Sequence, residues 1–298
     1  MVQAWPTKPI RIIVPVATGG IADYYSRLLG PKLAERWGAS VFVENRPGAG
    51  SNIGFEAAAK DGFRGVECLF PHEFPMHEVR DRLRHNGLEL VLFNAAPGNW
   101  AHGERGLACL PGREAEFRAN LDAALQLAND LACPRVHVMA GLSAPDNHDA
   151  DWARYQANLS WAADQARQAA RQLTIEPINT RDMPGYLLSR QAQAHALVQA
   201  IGSSHLQVQL DLYHCQIMEG DITTQLRQAL PTGRVGHLQI AAIPDRGEPN
   251  AGELHYAHVF AELAALNWAG WIGCEYKPRQ AGPGGTSAGL GWWRALSA

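Results

Sequence analysis

Seven short apolar runs separated by amphipathic stretches dominate the chain after residue 60. They are GVECLF (65–70), LELVLFN (88–94), RVHVMAG (135–141), QLTIEPIN (172–179), LQVQLDLYH (206–214), GHLQIAA (236–242) and GWIGCEY (270–276). Short apolar runs of this kind read as strands. Between them, Glu114 to Leu131 sets Phe117, Leu121, Leu125 and Leu131 along one helical face. Asp151 to Leu173, Ser189 to Ile201 and Tyr256 to Leu266 are similar. Such alternation demands parallel strands, because a parallel neighbour is reached only by a crossover connection, usually a helix.

Two architectures meet that demand. An open doubly wound sheet would carry a Gly-rich phosphate turn after its first strand. The ATGG after Ile10–Val16 is a poor match to G-x-G-x-x-G. A TIM (β/α)8 barrel needs one strand more than the seven runs. Ser40–Glu44, followed by a short helix from Ile53 to Lys60, supplies the missing unit. The expected fold is therefore an α/β TIM barrel. A change of texture near residue 60 divides the chain into 1–60 and 61–298. The first part holds Ile10–Val16, a helical pattern over Ile21–Trp37, the Ser40–Glu44 run and the loop NRPGAGSN.

Of the 298 residues 46% are hydrophobic and 18% charged, enough for a large core and unlike a disordered chain. With 26 Lys+Arg against 29 Asp+Glu and no basic block, composition argues against a nucleic-acid partner. The five cysteines are dispersed and form no C-x-x-C pair, so they read as reduced, mostly buried thiols. No run approaches the ~18 apolar residues of a membrane span. The opening MVQAWPTKPI lacks the features of a signal peptide. No membrane association and a cytoplasmic location are the expectations.

In a barrel, residues at the C-terminal ends of the strands converge on one site. Those ends carry Glu67, Asn94, His137, Glu176, Asp211, Gln239 and Glu275. A single buried carboxylate is readily explained by a loop hydrogen bond. Carboxylates on successive strands would repel one another unless a cation lay among them. Glu176, Asp211, Gln239 and Glu275 form an all-oxygen set suited to Mg²⁺ or Mn²⁺ rather than Zn²⁺. That pattern suits Lewis-acid polarisation of a carbonyl, with a carboxylate beside it to move a proton. His214, where DLYHCQ leaves the strand, and Arg246, in PDRGEPN, are placed to bind substrate. Their structural alternatives are a supporting hydrogen bond for His214 and a surface salt bridge with Asp245 or Glu248 for Arg246. The long loop APGNWAHGERGLACLPGRE after Asn94 reads as either a lid over the site or an ordered connector.

From Asp61 onward the chain closely resembles the hydroxypyruvate isomerase family of the xylose-isomerase-like barrels. The resemblance is carried by GFRGVECLFPHEFP, NAAPGNWAHGERGLACLPGRE, LTIEPINTRDMPGYLL, DLYHCQIMEGD, GHLQIA and GWIGCEYKPR. AAIPDRGEPNAGELHY is closer to the 2-oxo-tetronate isomerase branch. The family interconverts a 2-keto-3-hydroxy acid and its aldehyde isomer through an enediol. The resemblance implies an isomerase of carbohydrate metabolism acting on hydroxypyruvate and tartronate semialdehyde or on a related keto acid such as 2-oxo-tetronate. It implies that Glu176 and Glu275 are the proton donor and acceptor, matching the glutamates of IEPIN and GCEYKP. The same two, with Asp211 and Gln239, match the metal ligands, and His214 and Arg246 would hold substrate oxygens. A homo-oligomer is compatible with this class of barrel.

Residues 5–60 instead resemble the mature N-terminus of the substrate-binding proteins of tripartite tricarboxylate transporters. The resemblance implies that a foreign βαβα segment replaces the first βα unit of the barrel. Val41–Asn45 then takes the place of the first strand and Ile53–Lys60 of the first helix, with Ile10–Trp37 as an extra unit. Three rival functions follow. One is a carboxylate-binding protein, for which half the cleft is missing. Another is a nuclease of the same superfamily, whose three zinc ions need several histidines. The third is an inactive fusion relic.

Overall fold

The computed structural model describes residues 10–14, 41–45, 49–280 and 284–297. They belong to two compact units, residues 1–63 with 85–87, and residues 64–84 with 88–298. In the first, strands β1 (Ile10–Val14) and β2 (Val41–Asn45) pair in parallel, with Ile10 beside Val41 and Val14 beside Asn45. Helix α1 (Ala49–Lys60) begins four residues ahead of the expected Ile53. The Ile21–Trp37 helix lies outside the described residues.

The second unit is a seven-stranded parallel sheet whose strands follow chain order. They are β3 (Gly65–Cys68), β4 (Glu89–Asn94), β5 (Arg135–His137), β6 (Gln172–Ile175), β7 (Leu206–Asp211), β8 (Val235–Ile240) and β9 (Ile272–Cys274). Helices α2 (Met76–Asn86), α3 (Glu114–Asp130), α4 (His148–Gln168) and α5 (Gln191–Ile201) form successive crossovers. The β7–β8 crossover holds two short helices, α6 (Leu212–Met218) and α7 (Ile222–Ala229), and α8 (Tyr256–Ala265) joins β8 to β9. The sheet curls into a nearly closed barrel, as the strand–helix alternation predicts. At the seam β3 and β9 are not paired with each other, yet they lie close. A Cβ on Gly65 would sit 2.9 Å from the Trp271 ring.

Side chains alternate along the strands because successive Cβ atoms point to opposite sides. Leu173, Ile175, Val208, Leu210, Leu238 and Ile240 are buried, as are Leu159, Ala162 and Ala163 of α4, Leu197 of α5 and Leu226 of α7. The alternate set on the same strands is Thr174, Gln209, Asp211, His237 and Gln239, also buried but polar. Register places Gln209 beside His237, Asp211 beside Gln239, and Gln239 beside Gly273.

Several strands are shorter than their apolar runs, since the last residues of each run leave the ladder to enter loops. The clearest case is LQVQLDLYH, where the strand stops at Asp211 and α6 starts at Leu212. The loop after Asn94 is an ordered connector over residues 104–113. Leu107, Ala108 and Cys109 are buried, Asn158 Nδ2 donates to the Ala108 carbonyl, and Arg113 clamps Glu104. Gly106, at φ +115°, lies so close to the Met139 carbonyl that a Cβ would overlap it.

Candidate active site

The polar residues converge at the C-terminal ends of β6 to β9. Asp211 closes β7 and caps α6. Its Oδ1 accepts the Tyr213 N–H at 2.8 Å, while Oδ2 is buried without a hydrogen-bond partner. Glu176, one residue past β6, likewise has an unpartnered buried Oε1. Burial pushes the Asp211 carboxyl up to about 6, against the pull of Arg246. It also holds Glu176 well above the usual carboxylate range, with Glu275 and Asp211 adding to the effect. Glu275, after β9, is pushed up to about 7 by burial, partly offset by Arg246.

Arg246 reaches back over this cluster, with Nη2 2.9 Å from Glu275 Oε2 and 3.9 Å from Asp211 Oδ2. Its guanidinium lies 5.0 Å from the centre of the Tyr213 ring. The surface salt bridge open to it on sequence grounds belongs to another residue. Arg279 takes Asp245 at 2.7 Å and Glu248 at 3.3 Å. Arg246 is thereby left facing the site.

His214, in the first turn of α6, completes the cluster. Its Nε2 is 3.5 Å from Asp211 Oδ2 and 4.0 Å from Glu176 Oε1. Asn179 directs its backbone N–H (3.3 Å) and its side-chain NH₂ (2.6 Å) at the other ring nitrogen, Nδ1. A backbone N–H can only donate, so Nδ1 is the acceptor and the ring proton sits on Nε2, facing the carboxylates. Burial drives the imidazole pKa down to about 3, which keeps the ring neutral. Asn179 is itself held by Asp182, whose backbone N–H donates to Oδ1 at 2.8 Å and whose Oδ2 accepts from Nδ2 at 3.1 Å.

Glu176, Asp211 and His214 bring one ligand atom each to within 4.8 Å of one another. Three carboxylates, Glu176, Asp211 and Glu275, gather about a single guanidinium, and burial opposes negative charge on each of them. Two of those carboxylates hold buried oxygens with no donor. Such a set fits a hard divalent cation, which prefers oxygen ligands and would satisfy both oxygens at once. Gln239 lies in a different setting from the one its position on β8 suggests. Its Oε1 accepts from Gln209 Nε2 at 2.7 Å and its Nε2 donates to Glu67 Oε2 at 2.6 Å. The second lone pair of that carbonyl is still available to a ligand.

His137 and Asn94, read from the strand ends, meet at 3.1 Å between Nδ1 and Oδ1. His137 Nε2 lies 3.9 Å from Glu176 Oε2. Gln209, His237 and Asn179 are functional neighbours that the strand-end reading passed over. Gln209 and His237 lie two residues before Asp211 and Gln239, so the two-residue period of a strand puts them on the same face. Asn179 sits in a loop, where no periodicity points to it.

Residues 55–296 match the family described as Xylose isomerase-like TIM barrel. A 2-oxo-tetronate isomerase of Cupriavidus necator is 52% identical over 242 residues, covering 80% of this chain and 90% of that protein. A hydroxypyruvate isomerase of Escherichia coli is 42% identical over 243 residues, with 80% and 90% covered. A crystal structure titled AP endonuclease, family 2, from Brucella melitensis superposes with a TM-score of 0.78 at 42% identity, covering 82% of this chain and 92% of that one. None of the helices among the described residues is long and apolar enough to cross a membrane.

Proposed function

The chain belongs to the hydroxypyruvate and 2-oxo-tetronate isomerase family of xylose isomerase-like barrels and is an isomerase; from that premise we propose that it interconverts a small 2-keto-3-hydroxy acid and its aldehyde isomer. Hydroxypyruvate with tartronate semialdehyde is the simplest such pair, and 2-oxo-tetronate is the longer candidate. One observation carries the reading. Carboxylates from three strands, two with unpartnered buried oxygens, gather beside one guanidinium and one neutral imidazole.

Glu176, Asp211, Gln239 and Glu275 would hold Mg²⁺ or Mn²⁺, which when bound polarises the substrate's adjacent oxygens and lowers the cost of negative charge on them. The remaining work falls to side chains. One of Glu176 and Glu275, as carboxylate, removes the proton from the hydroxyl-bearing carbon. The other, as carboxylic acid, returns a proton to the neighbouring carbon, while the hydroxyl proton passes to the former keto oxygen. Burial raises the pKa of both glutamates above the usual carboxylate range, which favours the protonated form in the one that acts as acid. His214, with its proton on Nε2, donates to a substrate oxygen where charge develops. Arg246 binds the substrate carboxylate and balances Glu275.

Residues 1–60 enter the same proposal as a segment similar to part of a transporter-type binding protein that replaces the barrel's first βα unit. Within that segment β1 and β2 pair in parallel in a two-stranded sheet. Release of everything before residue 60 by brief proteolysis, with the remainder intact and stable, would refute the replacement.

Incubation with hydroxypyruvate and with 2-oxo-tetronate in D₂O, with and without Mn²⁺, tests the chemistry. The expected result is metal-dependent aldehyde formation or solvent deuterium entering recovered substrate, both lost in Glu176→Gln. A cooperatively folded, Mn²⁺-loaded protein that exchanges neither substrate would overturn the reading.

A further inference from the structure

At the seam between β3 and β9, where backbone pairing stops, a side chain bridges the gap. Glu67 of β3 passes over Gly273 of β9, where a Cβ would overlap its Oε1, and reaches two residues of β8. Glu67 Oε2 accepts from Gln239 Nε2 at 2.6 Å, and Oε1 meets His237 Nε2 at 2.6 Å. Both partners are buried, while Glu67 is 23% exposed.

We propose that Glu67 is a positioning residue that fixes the orientation of the Gln239 amide, so that the carbonyl oxygen and not the NH₂ faces the cation site.

An amide can turn end for end at little intrinsic cost, and only its hydrogen-bond partners decide which atom points where. An ionised carboxylate accepts and cannot donate, so Glu67 selects the NH₂ end of Gln239. On the other side, the Gln209 NH₂ donates to the Gln239 oxygen, and the Gln209 oxygen is held by the Thr174 hydroxyl at 3.2 Å. The chain Thr174–Gln209–Gln239–Glu67 therefore has one polarity from end to end. Gly273 is the space that lets Glu67 reach across β9. Supporting hydrogen bonds of this kind typically change metal affinity by 10- to 100-fold when removed.

The inference rests on the reading of Gln239 as a metal ligand, and titration of metal-free protein with Mn²⁺, followed by the loss of free-ion EPR signal, separates the two. Glu67→Leu is expected to weaken Mn²⁺ binding by 10- to 100-fold. Glu67→Gln is expected to restore most of it. Its oxygen can accept from Gln239 while its NH₂ donates to His237 in the other tautomer. Gly273→Ala, which keeps all four hydrogen-bonding groups but displaces the carboxylate, is expected to behave like Glu67→Leu. It serves as the test should Glu67→Leu not fold. Folded Glu67→Leu or Gly273→Ala with wild-type affinity would overturn the inference, as would a Glu67→Gln protein as weak as Glu67→Leu. Wild-type protein that binds no Mn²⁺ would overturn the ligand reading and this inference with it.

Discussion

Asp211→Asn is expected to make the metal-free protein more stable and the metal-loaded protein less so. In the folded chain the Asp211 carboxyl is raised from 3.8 to about 6, chiefly by burial. A carboxyl raised on folding binds its proton more tightly in the native state, so its charged form opposes folding. That penalty is absent below the unfolded value, grows between about pH 4 and 6, and is complete above the folded value. At 1.36 kcal/mol per tenfold, it amounts to about 3 kcal/mol at neutral pH. The asparagine keeps Oδ1 as acceptor for the Tyr213 N–H and so retains the α6 cap. Its new NH₂ meets the His214 Nε2–H, which takes back part of the gain and leaves about 1–3 kcal/mol. For a barrel of this size 1 kcal/mol is about 2–4 °C in Tm. The assay is thermal unfolding after chelation, at pH 7.5 and pH 4.5, with and without Mn²⁺. The variant should melt several degrees above wild type at pH 7.5, and the difference should shrink at pH 4.5. With Mn²⁺ at 1,000 times Kd, wild type should gain about 4.1 kcal/mol and the order should reverse. A metal-free variant melting at or below wild type at pH 7.5, with native circular dichroism, would refute burial stress on the Asp211 charge.

Asn179→Leu removes both groups that fix the His214 tautomer and should lower kcat/KM by about 10- to 100-fold with Mn²⁺ affinity little changed. Arg246→Lys replaces a planar fork with a point charge and should raise KM for the keto acid about tenfold, read from initial rates. Leu238→Ala, at a fully buried position on β8, should destabilise the protein by about 2–5 kcal/mol in urea unfolding.

The barrel was legible because β4 and β6 to β8 are mostly buried on both faces and so read as continuous apolar runs. The residues terminating those runs include Glu176, Asp211 and Glu275, which the structure brings around Arg246. What stayed hidden follows from the same physics. The apolar run through Leu212 and Tyr213 disguised the start of α6, because a strand and a short buried helix have like compositions. Gln209 and His237 sit within otherwise apolar strands, and only their two-residue offset from the site residues marks them. The link from Glu67 to Gln239 joins residues 172 apart, and no local pattern encodes which strand ends meet at a seam. Arg246 had a plausible surface partner in Asp245, and only the placement of Arg279 removed it.

Glu176, Asp211, Gln239 and Glu275 follow one another at intervals of 35, 28 and 36 residues, each the length of one strand plus its crossover. The site is thus written periodically along the polypeptide, one functional side chain per repeating unit, each within one residue of its strand's C-terminal end. Recombination at unit boundaries exchanges whole functional groups rather than fragments of them. A change in one intervening helix lengthens the path between two site residues without altering their meeting point. The same periodicity makes the spacing itself informative, since an insertion that preserves the strand ends leaves the chemistry's geometry untouched.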